Sequence, residues 1–340
     1  MIQIFYINFN QDRSCFCLGT EEGYTIYSTD PLKKIFERKF EEGLVCLEML
    51  FRSNILALVK KNTDTNPDNE KNVLIWDDST NNKIGEIIFN TPVKEILLRK
   101  DYIVVILENK IFVYELQTLV ILASFNTCDN PKGIGNITYY QHKFLLAIPS
   151  SKIGILHVYN LLSNPRSVVS IQAHESDIQF IALNTEGSLV ATCSKKGTLI
   201  RIFNTLTGKL FKELRRGSDQ VKINWLEFSF SSHMIICQSN KGTIHLFNTG
   251  FKESNRENKS LFGVGLKSFQ NFIPKFSPSY LTTEWSFAKF HFPELKTISA
   301  FLIDGKHIVA ISFTGIYYKI NFEEDEFVTV SKKNIFELEL

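Results

Sequence analysis

Two adjacent arginines, Arg215 and Arg216, are the residues of this sequence whose type and position best suit the binding of an anion. They lie between two similar segments, Ser194-Lys195-Lys196-Gly197-Thr198 and Ser239-Asn240-Lys241-Gly242-Thr243. Successive side chains of an extended chain point to opposite faces, so the two arginines cannot easily serve one ligand. Each is therefore predicted to face its own segment, where a glycine lets backbone N–H groups approach an anion. The pattern predicts paired phosphate pockets.

The basic residues are concentrated in the sector that contains this pair. The whole chain of 340 residues carries a formal net charge of only +2. That value argues against a general nucleic-acid binder, which usually carries a strong basic excess. Between Ala191 and Asn248, however, there are nine Lys or Arg and three acids, a local balance of +6 that leaves −4 for the remainder. We therefore expect an anionic partner at this sector and no nucleic acid.

Composition indicates one large domain of residues 1–340. The chain is 44% hydrophobic and 13% aromatic, enough to form a large core, and no shift in character divides it. Its six cysteines lie mostly in apolar strand-like runs, where free cysteine behaves as a small hydrophobic residue, and no zinc spacing is present. We expect no metal and no cofactor. Without a signal peptide or a membrane-length apolar run, the sequence predicts a cytoplasmic protein that meets membranes only from outside.

A repeat of two strand-like runs joined by a polar turn indicates the fold. Seven copies occur, and the residues that end them are spaced 49, 38, 45, 44, 44 and 73 apart. These intervals, except the last, are close to the 40–45 residues of a four-stranded propeller blade. The sequence predicts an all-β, seven-bladed β-propeller of the WD40 type. The sequence leaves two alternatives for the strand that completes the last blade, the N-terminal strand Ile2–Phe9 or the C-terminal strand Ile335–Leu340. The copies are Phe16–Tyr27, Ile55–Trp76, Ile103–Tyr114, Phe144–Tyr159, Leu189–Phe203, Met234–Phe247 and Ile308–Ile320.

The long last interval contains an insertion in the sixth blade, at about residues 250–284. A loop of this length in a compact domain is usually functional or disordered. Apolar residues alternate in it with lysines, which predicts a loop that enters the acyl boundary of a membrane while its lysines meet anionic headgroups. The alternative is that the apolar residues pack against the side of the propeller. The residues expected to insert are Leu261, Phe262, Phe269 and Phe272.

Seven blades, an Arg-Arg-Gly between the fifth and sixth, flanking Lys-Gly-Thr turns and an apolar loop in the sixth blade together resemble the PROPPIN family, also called WIPI or Svp-like propellers. The family motif usually reads Phe-Arg-Arg-Gly, and Leu214 stands here in its first position. The length looks more like the smaller fungal member linked to microautophagy of the nucleus. The resemblance implies binding of phosphatidylinositol 3-phosphate and phosphatidylinositol 3,5-bisphosphate at two rim sites, in autophagy or in endosomal or vacuolar traffic.

The resemblance also assigns residues to each site. The first site takes the residues around Arg215, namely His174, Ser194, Thr198, Arg201 and Arg215. The second site takes the residues around Arg216, namely Arg216, Ser239, Lys241, Thr243 and His245. His174 lies in a polar turn before a strand, where its imidazole can donate to phosphate; the alternative is a simple turn residue. His245 alternates with the apolar Ile244 and Leu246, so it is not plain core.

An enzyme is not expected, because none of the common nucleophile, phosphate-loop or zinc-protease motifs is present. The stronger rival is a propeller that only scaffolds other proteins, since fold alone does not decide function. Against it, a scaffold has no need of two adjacent arginines between matched Lys-Gly-Thr turns. We expect a monomer that is peripheral on endosomal, vacuolar or pre-autophagosomal membranes and that also binds an autophagy or trafficking protein.

Overall fold

The structure, a computed structural model, describes residues 2–163, 167–251, 284–294, 296–323 and 326–338. Within these ranges, seven sheets of at least four strands follow one another along the chain. Consecutive strands pair antiparallel in each sheet, apart from the sixth, where one strand leaves to join the fifth sheet. The predicted all-β, seven-bladed β-propeller is confirmed.

The strands are numbered in chain order. The first three sheets contain β1 Ile4–Phe9, β2 Cys15–Thr20, β3 Gly23–Ser28, β4 Lys33–Lys39, β5 Leu44–Met49, β6 Ile55–Lys60, β7 Asn72–Asp77, β8 Asn82–Ile88, β9 Val93–Arg99, β10 Tyr102–Leu107, β11 Lys110–Glu115 and β12 Ile121–Asn126. The fourth and fifth contain β13 Asn136–Tyr140, β14 Lys143–Pro149, β15 Ile155–Asn160, β16 Ser167–Gln172, β17 Ile178–Leu183, β18 Leu189–Ser194, β19 Leu199–Asn204 and β20 Leu210–Arg215. The sixth and seventh, with the added strand β24, contain β21 Ile223–Phe228, β22 Met234–Ser239, β23 Thr243–Asn248, β24 Glu284–Trp285, β25 Ala288–His291, β26 Thr297–Phe301, β27 His307–Ser312, β28 Ile316–Glu323 and β29 Glu326–Asn334. Short 3₁₀ turns span Asn69–Lys71 and Ile335–Glu337.

Packing between neighbouring sheets closes the ring. The first strands of successive sheets contact one another around the centre, from β1 through to β26 and back to β1. Between each pair of neighbouring sheets lies one cluster of buried apolar side chains. Both faces of the middle strands are therefore covered, which explains why β18, Leu-Val-Ala-Thr-Cys-Ser, is buried along its whole length.

The ring closes differently from both sequence expectations. The N-terminal strand β1 pairs with β2 inside the first sheet, and the last sheet is complete with β26 to β29. Neither Ile2–Phe9 nor Ile335–Leu340 therefore completes the last blade, and Ile335 begins a 3₁₀ turn. Side chains join the two sheets instead: Phe16 stacks at 6.4 Å on Tyr317, whose hydroxyl donates to the Thr29 carbonyl at 2.9 Å.

Buried polar side chains on the first strands of sheets one to three form a cluster near the centre of the ring. The Tyr6 hydroxyl lies 3.1 Å from Glu48 Oε1 and 2.7 Å from Glu95 Oε1. Because one hydroxyl group lies against both carboxylates and has a single proton to donate, protonation of Glu48 relieves the repulsion between Glu48 and Glu95. Burial, together with the Glu95 charge, raises the pKa of Glu48 to about 8.

The insertion separates the third and fourth strands of the sixth sheet. It follows β23, and the chain is described again from Glu284, in β24, before it returns to the sixth sheet as β25. Leu261, Phe262, Phe269 and Phe272 lie outside the described residues, so their insertion into a membrane stays a prediction.

Candidate functional site

The two arginines stand at the end of β20 with side chains on opposite faces of the fifth sheet. On the face toward the fourth sheet, Glu213 accepts a hydrogen bond from Arg201 Nε at 2.8 Å, and Arg201 Nη1 donates to the Ala173 carbonyl at 2.7 Å. On the face toward the sixth sheet, Lys212 Nζ donates to the Asn248 carbonyl at 2.9 Å. By strand alternation, Arg215 shares the face of Glu213, and Arg216 follows on the face of Lys212.

Arg215 is half-buried at the end of β20, which lies between β19 and the edge strand β24. It pairs with Leu199 of β19 on one side and with Trp285 of β24 on the other. Its guanidinium carbon lies 6.0 Å from the centre of the Trp285 ring, within range of a cation–π interaction. The aromatic side chain from beyond the insertion therefore contacts the first of the two arginines.

Arg216 is more deeply buried, with 8% of its surface exposed. Its backbone N–H donates to the Thr198 carbonyl at 2.9 Å, and its Nε donates to the Gly197 carbonyl at 3.0 Å. Its Nη2 also donates to the Asp219 carbonyl. Because carbonyl oxygens hold it on both sides, this guanidinium is fixed between the β18–β19 turn and the segment that leads to β21.

Of the other residues predicted for the first site, His174 and Arg201 belong to a network between the fourth and fifth sheets. His174 is 5% exposed, and its Nε2 lies 3.0 Å from the hydroxyl of Thr192. Burial, and then the nearby Arg201 charge, lowers the pKa of His174 to about 4, so the imidazole is neutral near pH 7. Ser194, 7% exposed, ends β18 on the same face as Thr192. Thr198 lies in the turn that follows, one residue before β19.

The residues predicted for the second site lie between the fifth and sixth sheets. His245 is 5% exposed, and its Nδ1 lies 3.2 Å from the Ser286 hydroxyl. Burial, and then the charges of Lys289 and Arg216, lowers the pKa of His245 to about 4. The other residues predicted for this site are Ser239, Thr243 and Lys241. Ser239 ends β22 and is 1% exposed, and the Thr243 hydroxyl lies 3.3 Å from His291 Nδ1. Lys241 Nζ lies 3.7 Å from an Asp219 carboxylate oxygen.

The two turn glycines differ from expectation, because their N–H groups are used inside the turns. Gly197 donates to the Ser194 carbonyl at 2.9 Å, and Gly242 donates to the Ser239 carbonyl at 3.1 Å. Their φ angles are +64° and +74°, and a Cβ on Gly197 would lie 2.0 Å from the Val221 carbonyl oxygen. Glycine therefore permits the neighbouring chain, rather than an anion, to approach closely.

Sequence reasoning missed residues that contact the predicted ones. Two belong to the first network, Thr192 and Glu213, and become neighbours only through strand register. Four others follow the insertion in one short segment, and they are Trp285, Ser286, Lys289 and His291. The sequence contains one signal that could have identified this second group of residues. Aromatic and polar residues are mixed in Glu284-Trp285-Ser286-Phe287, directly after the insertion.

Two other site types are absent from the described ranges. These ranges contain no group of three or more His, Cys, Asp or Glu side chains arranged to hold a metal ion. In the same part of the chain, no helix has the length and apolar character needed to cross a membrane.

These features define a seven-bladed propeller with a cluster of basic, hydroxyl and imidazole side chains on each side of its fifth blade. The PROPPIN family profile matches residues 3–313, and the chain belongs to this family of phosphoinositide-binding, autophagy-related propellers. It is 31% identical to autophagy-related protein 18e of Arabidopsis thaliana, over 99% of this chain and 89% of that protein. It is 33% identical to SVP1-like protein 2 of Saccharomyces cerevisiae, over 84% of this chain and 72% of that one.

Solved structures show the same fold. Hsv2 of Kluyveromyces lactis, with its complete loop 6CD, superposes with a TM-score of 0.80 at 24% identity, over 98% of this chain and 100% of that one. A complex of KlAtg21 with the coiled coil of AgAtg16 matches with a TM-score of 0.74 at 22% identity, over 98% of this chain and 99% of that one. At this level of identity the likeness supports the architecture alone.

Proposed function

We propose that the protein binds phosphatidylinositol 3-phosphate and phosphatidylinositol 3,5-bisphosphate at two rim sites, one on each side of the fifth blade. Binding would recruit it to membranes in autophagy or in endosomal or vacuolar traffic. The observation that carries the proposal is the placement of Arg215 and Arg216 on opposite faces of one sheet, each on the side of the sheet that contains a buried, neutral histidine and hydroxyl side chains.

Phosphate chemistry fits each member of these clusters. An arginine presents N–H donors in a planar fork that matches two phosphate oxygens, and serine and threonine hydroxyls add single donors. A neutral imidazole has one N–H, which donates to phosphate without adding a buried charge to a site that already contains arginine. His174 and His245 each have one ring nitrogen near a hydroxyl, so the other nitrogen supplies this donor in the tautomer we propose.

Two weak sites on one rim suffice for membrane binding. A hydrogen bond to a charged group contributes about 1.5–3 kcal/mol net, so one exposed site binds a headgroup only weakly. After the first lipid is bound, the second lipid is captured within the same complex, and avidity increases without a new contact. If the apolar residues of the insertion enter the bilayer, each buried methylene adds about 0.8 kcal/mol. We therefore propose that lipid identity and bilayer insertion are recognised together.

Calorimetric titration with soluble inositol phosphates tests the two-site proposal. We expect a stoichiometry near two for the wild type and near one for Arg215→Ala and for Arg216→Ala, because each substitution removes one site. Arg52→Ala, at an exposed position in the turn between β5 and β6, serves as the charge-matched control and keeps both sites. Loss of all binding in a folded single variant contradicts independent sites, and unchanged stoichiometry in both contradicts the proposal.

Protein scaffolding is the second candidate function. The described complex of KlAtg21 with a coiled coil of AgAtg16 favours a protein partner for this chain as well. The two functions are compatible if the partner binds away from the fifth and sixth blades. We propose a monomeric, single-domain protein that is not an enzyme and that is peripheral on its membranes. Flotation with liposomes of defined phosphoinositide content separates the candidates, because a pure scaffold stays with the soluble fraction whatever lipid is present.

A further inference from the structure

The chain leaves the sixth sheet after β23 and contacts the fifth sheet before it returns. The two residues of β24 pair in parallel with the end of β20, Glu284 opposite Leu214 and Trp285 opposite Arg215. Lys212 Nζ bridges Glu284 Oε2 at 2.7 Å and the Asn248 carbonyl at 2.9 Å. The chain before and after the insertion is thereby tied to the strand that ends at the first arginine.

The contact between Trp285 and Arg215 has a defined geometry. Residues paired on adjacent strands project from the same face, so the indole and the guanidinium are direct neighbours. The separation of 6.0 Å between the guanidinium carbon and the ring centre places the cation near the limit of a cation–π contact. A cation–π contact attracts the guanidinium through its charge, so it does not need the N–H groups that bind phosphate. The ring restricts the orientation of the fork without competing with phosphate for its donors.

The second arginine is oriented by other means. Backbone carbonyls of Gly197 and Asp219 hold the Arg216 guanidinium, and neither belongs to β24. Removing the indole should therefore affect the two arginines unequally, and this asymmetry is what distinguishes a specific contact from a general effect on the fold.

We propose that Trp285 is a positioning residue for Arg215, which holds the guanidinium in the orientation that binds phosphate at the first site. The inference rests on the proposed function of that site. It adds that the segment in which the chain rejoins the sheets after the insertion determines the affinity of one of the two lipid sites, although the indole itself contributes no charge to that site.

The test uses the full chain in the Arg216→Ala background, where the first site alone binds. Inositol 1,3-bisphosphate, the soluble headgroup of phosphatidylinositol 3-phosphate, is titrated calorimetrically into this protein and into versions that also carry Trp285→Leu or Trp285→Phe. We expect Trp285→Leu to weaken binding about 3- to 10-fold and Trp285→Phe to stay within about 2-fold, because phenylalanine keeps an aromatic face. In the Arg215→Ala background, where the second site alone binds, Trp285→Leu should leave the affinity unchanged.

A spectroscopic signal supplies a second readout. The chain has three tryptophans, so Trp76→Phe with Trp225→Phe leaves the Trp285 indole as the sole tryptophan reporter. Its emission should change when headgroup is added to the protein with Arg215 and should not change in the Arg215→Ala version. Unaltered emission on saturation of the first site overturns the inference.

The outcomes separate the inference from the function on which it rests. If the Arg216→Ala protein binds headgroup and Trp285→Leu binds equally well, the positioning proposal is wrong and the first site stands. If both backgrounds lose affinity equally in Trp285→Leu, the indole supports the fold and not Arg215. If the Arg216→Ala protein binds no headgroup although it is folded, the proposed first site fails and the inference fails with it.

Discussion

The buried carboxyl pair near the centre of the ring should make stability depend on pH, and Glu48→Gln tests this. The pKa of Glu48 is raised to about 8 from an ordinary value of 4.5, by burial first and by the Glu95 charge second. The folded protein therefore binds this proton more tightly than the unfolded chain does. The resulting stabilisation is complete below pH 4.5 and is lost as pH rises through about 8.

Comparison of the wild type with Glu48→Gln isolates this proton between about pH 6.5 and about pH 8. His174 and His245, whose pKa falls from 6.5 to about 4 on folding, and Lys132, whose pKa falls to about 8, change stability in the opposite sense over this range, but they do so equally in both proteins. In this range unfolding releases about one proton from Glu48, which lowers the free energy of unfolding by about 1.4 kcal/mol per pH unit. Over the whole range the expected loss is about 2 kcal/mol, a large share of the stability of an ordinary domain.

Urea denaturation at constant ionic strength, followed by tryptophan fluorescence, measures this loss. Between these pH values we expect the free energy of unfolding of the wild type to fall, relative to that of Glu48→Gln, by about 2 kcal/mol, because glutamine has no proton to release. Glu41→Gln, at an exposed position, is the control and should keep the slope of the wild type. A Glu48→Gln variant with the wild-type slope refutes the reasoning.

Three further predictions concern the sites and the insertion. In urea denaturation, Arg216→Ala should lower the free energy of unfolding by about 1–3 kcal/mol, because two backbone carbonyls lose a charged donor, and Arg215→Ala should lower it by less; equal losses would contradict the assigned contacts. In calorimetry, lysine at either position should weaken headgroup binding nearly as much as alanine, since lysine lacks the planar fork; full binding would indicate general electrostatics. Replacing the four apolar residues of the insertion with serine should weaken liposome binding strongly, with headgroup affinity and melting temperature almost unchanged; a large drop in melting temperature would mean that they pack on the propeller. The four are Leu261, Phe262, Phe269 and Phe272.

The repeat was visible in the sequence because the second strand of each blade is an apolar run buried along almost its whole length. In six of the seven copies the third strand also supplies an aromatic residue at the end of the repeat. Strand alternation likewise predicted that Arg215 and Arg216 point away from each other. The ring closure was not predictable, because β1 and β29 read as ordinary strands whose partners depend on the tertiary fold. The two residues of β24 are too few to show any periodicity. Glu48 was missed because an acid in an apolar run looks like a solvent-facing position until its neighbours are known.

The side chains that contact the site residues were the hardest feature to predict from the sequence. Thr192 lies 18 positions from His174, and Ser286 lies 41 positions from His245. Such pairs form only when two sheets stack or when the chain returns after the insertion, and one sequence contains no record of that register.

Closure by side-chain packing has a consequence for the order in which the protein is made. Each of the first five sheets has four consecutive strands and can form as the chain leaves the ribosome, with contacts that are local in sequence. The contact between β1 and β26 is different, because it joins the first strand of the first sheet to the first strand of the seventh. Until the seventh sheet has been synthesised, the apolar side chains of the first sheet that later pack against it, among them Phe16 and Leu18, lack their partners in that sheet. A nascent chain of this protein therefore exposes an aggregation-prone surface until its seventh sheet has formed.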